Sequence, residues 1–311
     1  MSETLHETVP YGGWPNGARL TNGRIELIAT TDVGPRVIRL GFVGGPNLFK
    51  EFPEHLGQTG GDAWRSYGGH RLWHAPEVVP RTYWPDNVPV DATWHDGVLT
   101  LAQPTEGSTG LRKTIALRMA PDRNHVTVTH TITNEGLWPV ELSVWCLSVM
   151  APGGTGIFPQ EAYKPHAEAL LPARPMVLWH YTDMADPRWS WGTRYVQLRQ
   201  DPSLESFQKV GMMNSLGWAA YQLDQALFLK RFRHQPGARY PDMGCNTETF
   251  TNADMLELET LGPLVTIAPG ESATHVEDWF LFEAIVGTTE ADLDARLLPL
   301  VAETDRHLGG S

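Results

Sequence analysis

His70 and His74 lie four residues apart inside a stretch from Trp64 to Glu77 (WRSYGGHRLWHAPE) that also carries Arg65, Arg71 and Trp73. Imidazole titrates near neutrality, so either histidine could pass a proton to or from a substrate. A carboxylate such as Glu77, together with tryptophan walls, would push neighbouring pKa values apart and so separate an acid from a base. Arg71 could hold or polarise a substrate oxygen. The plainer alternative makes both histidines hydrogen-bonded parts of the framework. His-x3-His is also metal-ligand spacing on a helix, yet Gly68-Gly69 before it and Ala75-Pro76 after it argue against a helix. No metal or cofactor is therefore assigned, and a metal-dependent enzyme using His70 and His74 stays as the weakest reading. The stretch is expected to be a shaped loop on a rigid scaffold.

Carboxylates further along offer partners for such a loop. Glu248 sits in Cys245-Asn246-Thr247-Glu248-Thr249, where it could be a general base or a solvated residue at a strand rim. Glu257 and Glu259 alternate with Leu256 and Leu258, which reads as the solvated face of a strand, with Glu259 as the second candidate base. Trp73, then Trp179, Arg188, Trp189, Trp191 and Tyr195, suit a sugar: rings cover its C–H faces while guanidinium arms bond its hydroxyls. Several of those rings would serve equally as core. Arg36, Lys209 and Arg231 could meet a carboxylate or phosphate, or be ordinary strand-face charges.

The chain supplies strands to position these residues. Arg24 to Thr30 and Arg36 to Phe42 read as a hairpin joined through Asp32-Val33-Gly34-Pro35. His95 to Ala102, Leu111 to Met119 and His125 to Asn134 follow, the last alternating Val126, Val128, His130 and Ile132 against four threonines. Val140 to Met150 is almost wholly apolar and predicts a central strand covered on both faces. Ile157 to Gln200 breaks into an aromatic, proline-rich excursion, after which strand signals resume at 217–223, 226–233, 255–260 and 279–285. One helix is predicted at the end, capped by Thr288 or Thr289, with Leu293, Leu297 and Leu300/Val301 as its apolar stripe and Pro299 bending or shortening it. About a dozen strands with no βαβ alternation predict an all-β protein, a large antiparallel β-sandwich with a C-terminal helix, as a single domain over residues 1–311.

A length of 311 residues at 41% hydrophobic and 19% charged is enough for a large core. The net charge of -12 argues against nucleic acid as a partner, because a phosphate backbone is met by a basic face. No window reaches the ~18 apolar residues of a membrane span, and the opening thirty residues lack a basic region followed by an apolar one, so no membrane partner and a cytoplasmic location are expected. Cys146 and Cys245 read as buried thiols. There is no Gly-x-Ser-x-Gly, P-loop, dinucleotide fingerprint or His-Glu-x-x-His.

LTNGRIELIATTDVGPRVIRLGF at the start, then GCNTETF and LELETLGPLVTIAPGESATHVEDWFL near the end, resemble the galactose mutarotase-like superfamily, the β-supersandwich of aldose 1-epimerases. YGGHRLWHAPE and CNTETFTNADMLELETLGPL are more similar to an uncharacterised bacterial family of that fold. The resemblance implies sugar chemistry, with Glu248 at the position of the epimerase base and the Trp64–Glu77 stretch as the sugar-contacting segment. It also implies a catalytic histidine near ELSVWCLSVM, but no histidine lies between Glu141 and Gly153. His70 or His74 would have to supply the acid. The expectation is a carbohydrate-active enzyme using His70, His74, Glu248, Arg71 and Glu77, with Trp73, Arg188, Trp189, Trp191, Lys209 and Arg36 around a small carbohydrate. The alternative is a non-catalytic carbohydrate-binding or sensing protein.

Overall fold

The strict alternation in 125–134 is realised as a strand whose even-numbered residues are buried and whose threonines are half-buried, the pattern of a sheet with one face in the core. The computed structural model describes residues 4–309. In chain order the strands are β1 (Leu5–Tyr11), β2 (Trp14–Thr21), β3 (Ile25–Thr30), β4 (Arg36–Phe42), β5 (His70–Ala75), β6 (Asp91–His95) and β7 (Val98–Ala102). Then come β8 (Leu111–Met119), β9 (His125–Asn134), β10 (Val140–Met150), β11 (Thr155–Pro159), β12 (Met176–Leu178), β13 (Trp189–Trp191) and β14 (Tyr195–Arg199). The last are β15 (Gln208–Met212), β16 (Trp218–Leu223), β17 (Ala226–Phe232), β18 (Thr247–Thr251), β19 (Leu256–Leu261), β20 (Val265–Ile267) and β21 (Ser272–Glu283), before helix α1 (Glu290–His307).

These form two antiparallel sheets. One runs β1-β2-β3-β4-β5-β10-β19-β18-β15-β12, with β20 beside β10, and the other runs β13-β14-β11-β16-β17-β21-β9-β8-β7-β6. Leu72, Val144, Cys146, Leu256 and Leu258 of the first meet Ile115, Val128, Phe228, Trp279 and Leu281 of the second in one continuous core. Helix α1 lays Leu293, Leu297 and Val301 on the other side of the second sheet, against Tyr195, Trp218, Leu229 and Phe280. Thr289 caps it by accepting from the Asp292 N–H, and Pro299 lies inside it without ending it. No helix of the described residues is long and apolar enough to cross a membrane.

Two expectations are corrected here. Strands number 21 among the described residues rather than about a dozen, because three-residue strands such as β12, β13 and β20 are too short to carry a periodic signature. The Trp64–Glu77 stretch is also not a loop throughout, since His70–Ala75 is strand β5 between β4 and β10. Its glycines serve close approach: a Cβ on Gly69 would lie 2.3 Å from the Val37 carbonyl oxygen, and one on Gly68 2.0 Å from that of Lys50. Both have positive φ, 92° and 70° for Gly68 and Gly69.

Candidate active site

Strand register assembles a site on the outer face of the first sheet. Arg71 lies opposite Leu147, Leu147 opposite Glu259, Glu259 opposite Glu248, and Glu248 opposite Gly211, a single row across β5, β10, β19, β18 and β15. Because side chains alternate along a strand, the same face carries Trp73, Trp145 and Leu261 in the next row on one side, and Val149, Glu257, Phe250 and Lys209 on the other. Trp73, Trp145, Leu147 and Leu261, with Trp64 and Tyr83, pack as an aromatic floor separate from the main core.

Charges on this floor pair diagonally. Lys209 Nζ lies 2.8 Å from Glu248 Oε2 and 3.1 Å from Glu259 Oε2. The indole N–H of Trp145 donates to the same Glu259 oxygen at 2.9 Å. Rings of Trp179 and Trp145 lie 4.8 and 5.0 Å from the ammonium. Gly211 leaves room here, since a Cβ would sit 2.5 Å from Cys245 Sγ and 3.2 Å from the Trp179 ring. Arg71 Nη2 donates to Glu257 Oε1 at 2.9 Å, and its guanidinium lies 4.4 Å from the centre of the Trp73 ring.

What is left unmade is more informative. Glu248 Oε1, Glu259 Oε1, Arg71 Nε and Nη1, and Trp64 Nε1 are all buried and have no hydrogen-bond partner within the protein. A buried polar group without a partner costs about 1–3 kcal/mol, and a charged one more, so five converging on one face mark a place where something else supplies the bonds.

Burial pushes both carboxylic acids up. Glu259 rises to about 7, with Glu257 adding to the effect and Lys209 opposing it, and Glu248 rises well above the usual range although Lys209 pulls it down. Burial alone would lower Lys209, but Glu259 and Glu248 outweigh it and hold the ammonium well above its ordinary value. The carboxyl pair therefore retains a proton near neutrality, a proton belonging to the pair rather than to either residue.

His70 and His74 face the opposite way from Arg71 and Trp73, into the space between the sheets, and neither is exposed. His70 Nδ1 meets Ser148 Oγ at 2.8 Å and Nε2 meets His130 Nε2 at 2.7 Å. His74 has no partner on either nitrogen, and burial, with Lys113 and Arg81 nearby, lowers it to about 3. Both are out of reach of Glu248. As a shared metal site the pair is also corrected, because four residues along a strand span ~13 Å. His70 instead lies with His130 and Glu277, whose ligand atoms are within 4.8 Å of one another. Those atoms are already hydrogen-bonded, and the Lys230 ammonium 2.9 Å from Glu277 takes the place a cation would want.

Of the remaining candidates, Lys209, Arg71 and Trp73 join Glu248 on the floor. Glu77 lies on the exposed rim, accepting from the Tyr83 hydroxyl. Arg36 is fully buried and spans the Gly68 carbonyl and Asp86, and Arg188 clamps Asp186 and Ser206. Trp189 lies in the core with its N–H on Gln208, and Trp191 stacks on it at 4.7 Å. The sequence reading passed over Trp64, Tyr83 and Trp145, and read Glu257 as solvated. Only cross-strand register, which is non-local, brings them together.

No protein-family model matches the chain, and no curated protein matches it in sequence. Solved structures do match. The Slr1438 protein of Synechocystis sp. PCC 6803 aligns at 12% identity and TM-score 0.58, over 89% of this chain and 99% of that one. A galactose mutarotase-like protein of Lactobacillus casei aligns at 9% identity and TM-score 0.56, over 86% and 100%. A galactose mutarotase related enzyme of Lactobacillus acidophilus aligns at 8% identity and TM-score 0.51, over 88% and 99%. With two antiparallel sheets, a terminal helix and these neighbours, the fold of this chain is the galactose mutarotase-like β-sandwich.

Proposed function

We propose that this chain is a carbohydrate-active enzyme that moves a proton between a sugar and the Glu248–Glu259 pair. The observation that carries the reading is the set of buried, unpartnered polar atoms on an aromatic floor: hydroxyl groups would complete the bonds and the rings would cover C–H faces. Mutarotase-related neighbours support sugar as the ligand class. Glu248 takes the proton of the anomeric hydroxyl, the C1–O bond becomes a carbonyl, the ring C–O bond breaks, and Glu259 protonates the released ring oxygen. Reclosure on the other face reverses the two roles. Lys209 stays charged between the carboxylates and prevents both from holding a proton at once. The acid role thus falls to Glu259 in place of His70 or His74.

A second reading, a non-catalytic carbohydrate-binding protein, is favoured by that same lysine, which holds one oxygen of each carboxylate. One experiment separates the two. Free sugars are screened by thermal unfolding, since a native-state ligand at about 100 times its Kd adds ~2.7 kcal/mol, and the sugar that shifts the midpoint is assayed by NMR for anomer exchange or product. Turnover that disappears in Glu248→Gln while binding persists supports the enzyme; binding with no turnover in the native chain leaves the binder. A panel in which no sugar shifts the midpoint overturns both.

A further inference from the structure

We infer that the sugar taken by this site carries a carboxylate, bound by Arg71, an inference that rests on the sugar-site reading above. The unmade hydrogen bonds are not mixed along the row but sorted by type. At the β5 end all three free groups are donors: Arg71 Nε, Arg71 Nη1 and Trp64 Nε1. At the β18–β19 end the free groups on this face are carboxyl oxygens, the Thr249 hydroxyl of β18 lying on the opposite face. Arg71 and Glu259 are two strand spacings apart in that row, ~10 Å between backbones, and Glu248 lies one strand further. A ligand that completes both ends therefore presents hydroxyl groups to the glutamates and an acceptor-only group to the arginine. Sugar hydroxyls serve either end, but a carboxylate has acceptors alone and matches the planar guanidinium in geometry.

Arg71 is built for that task. Its side chain is only 5% exposed and is held by Nη2 on Glu257 and by the Trp73 ring, so it is fixed with two nitrogens to spare. A guanidinium so placed loses little entropy when it binds. Glu257 neutralises the arginine and Lys209 is taken up by two carboxylates. With so little positive charge to spare, this end suits a singly charged carboxylate better than a phosphate carrying nearly two charges.

The test uses the full chain and titration calorimetry with glucuronate and galacturonate, beside glucose, galactose, the two uronamides, and glucose and galactose 6-phosphates. At least one uronate should bind ten-fold or more tighter than its neutral sugar and its amide. Arg71→Lys should erase most of that preference, weakening the uronate ten-fold or more beyond any loss for the neutral sugar, and Arg71→Gln should abolish it. The native-chain comparison stands even where a variant fails to fold. A neutral sugar that binds as tightly as its acid overturns the inference and leaves the sugar site intact. A sugar phosphate that binds tighter than the uronate overturns the choice of carboxylate. Silence from every sugar sinks the inference together with the reading on which it rests.

Discussion

Glu248 is held by one oxygen and free at the other, fully buried, on a floor of aromatic rings. Replacing it by Gln keeps shape and hydrogen bonding but removes proton transfer, so turnover should fall about 10²–10⁴-fold with sugar affinity within a few-fold, measured by NMR exchange and calorimetry. His74 makes the opposite prediction. It is buried with both nitrogens unpartnered, and its lowered pKa means that the folded state excludes a proton that the unfolded chain binds below about pH 6.5. Stability from that site is thus lost as pH falls from about 6.5 toward 3. His74→Leu should leave turnover intact, raise stability by ~1–3 kcal/mol at pH 7, and widen the gain at pH 5, read from urea unfolding. Loss of turnover with a native fold would return His74 to the chemistry.

At the scale of elements, β19 carries Glu257 and Glu259 outward while the facing sheet grips its inward side. Lys230 on β17 donates to the Leu258 carbonyl at 3.1 Å and pairs with Glu277 of β21 at 2.9 Å, with both charges fully buried. The Thr260 hydroxyl donates to Glu277 and meets His275 Nε2 at 2.9 Å. Removing one charge strands the other, so Lys230→Met should cost ~3–5 kcal/mol in urea unfolding, whereas Lys230→Met with Glu277→Leu should recover most of it. Additive losses would show that the pair is not coupled. Elements of this kind differ in how plainly they are written in the chain. Strands β8, β9 and β10 were expected at the bounds observed, because their apolar patterns are long, and α1 was marked by its threonine cap and leucine stripe. Strand β5 was hidden, because its Gly-Gly and Pro flanks are turn signals while its six residues mix charges, rings and imidazoles. Missing that strand hid the two-residue alternation that sends His70 and His74 inward and Arg71 and Trp73 outward. Glu248 was singled out by resemblance alone. Its partners Lys209 and Glu259 became its neighbours only through the β15–β18–β19 register.

For the whole molecule, opposite proton balances meet across the first sheet. Between the sheets, burial lowers four histidines: His74 to about 3, His130 and His275 to about 4, and His70 well below 6.5. Each binds a proton when the chain unfolds below about pH 6.5, so each takes stability away as pH falls. On the outer face, burial raises Glu259 to about 7 and Glu248 well above 4.5. The folded state holds the pair's shared proton and the unfolded chain releases it, so this contribution is fully present below about pH 4.5 and is lost as pH rises through the raised values. Near pH 5.5 the histidines place nearly four extra protons on the unfolded chain and the carboxyl pair about one, its shared proton, on the folded one, a net of about three. Stability should therefore fall by ~3–4 kcal/mol per pH unit between about pH 6 and 5, measured from urea midpoints at constant ionic strength. The doubly substituted Glu248→Gln/Glu259→Gln chain loses the opposing contribution and should fall about a third more steeply. Equal slopes in the two chains would mean that the carboxyl pair is ionised at neutral pH, and the proposed acid would then have no proton to give.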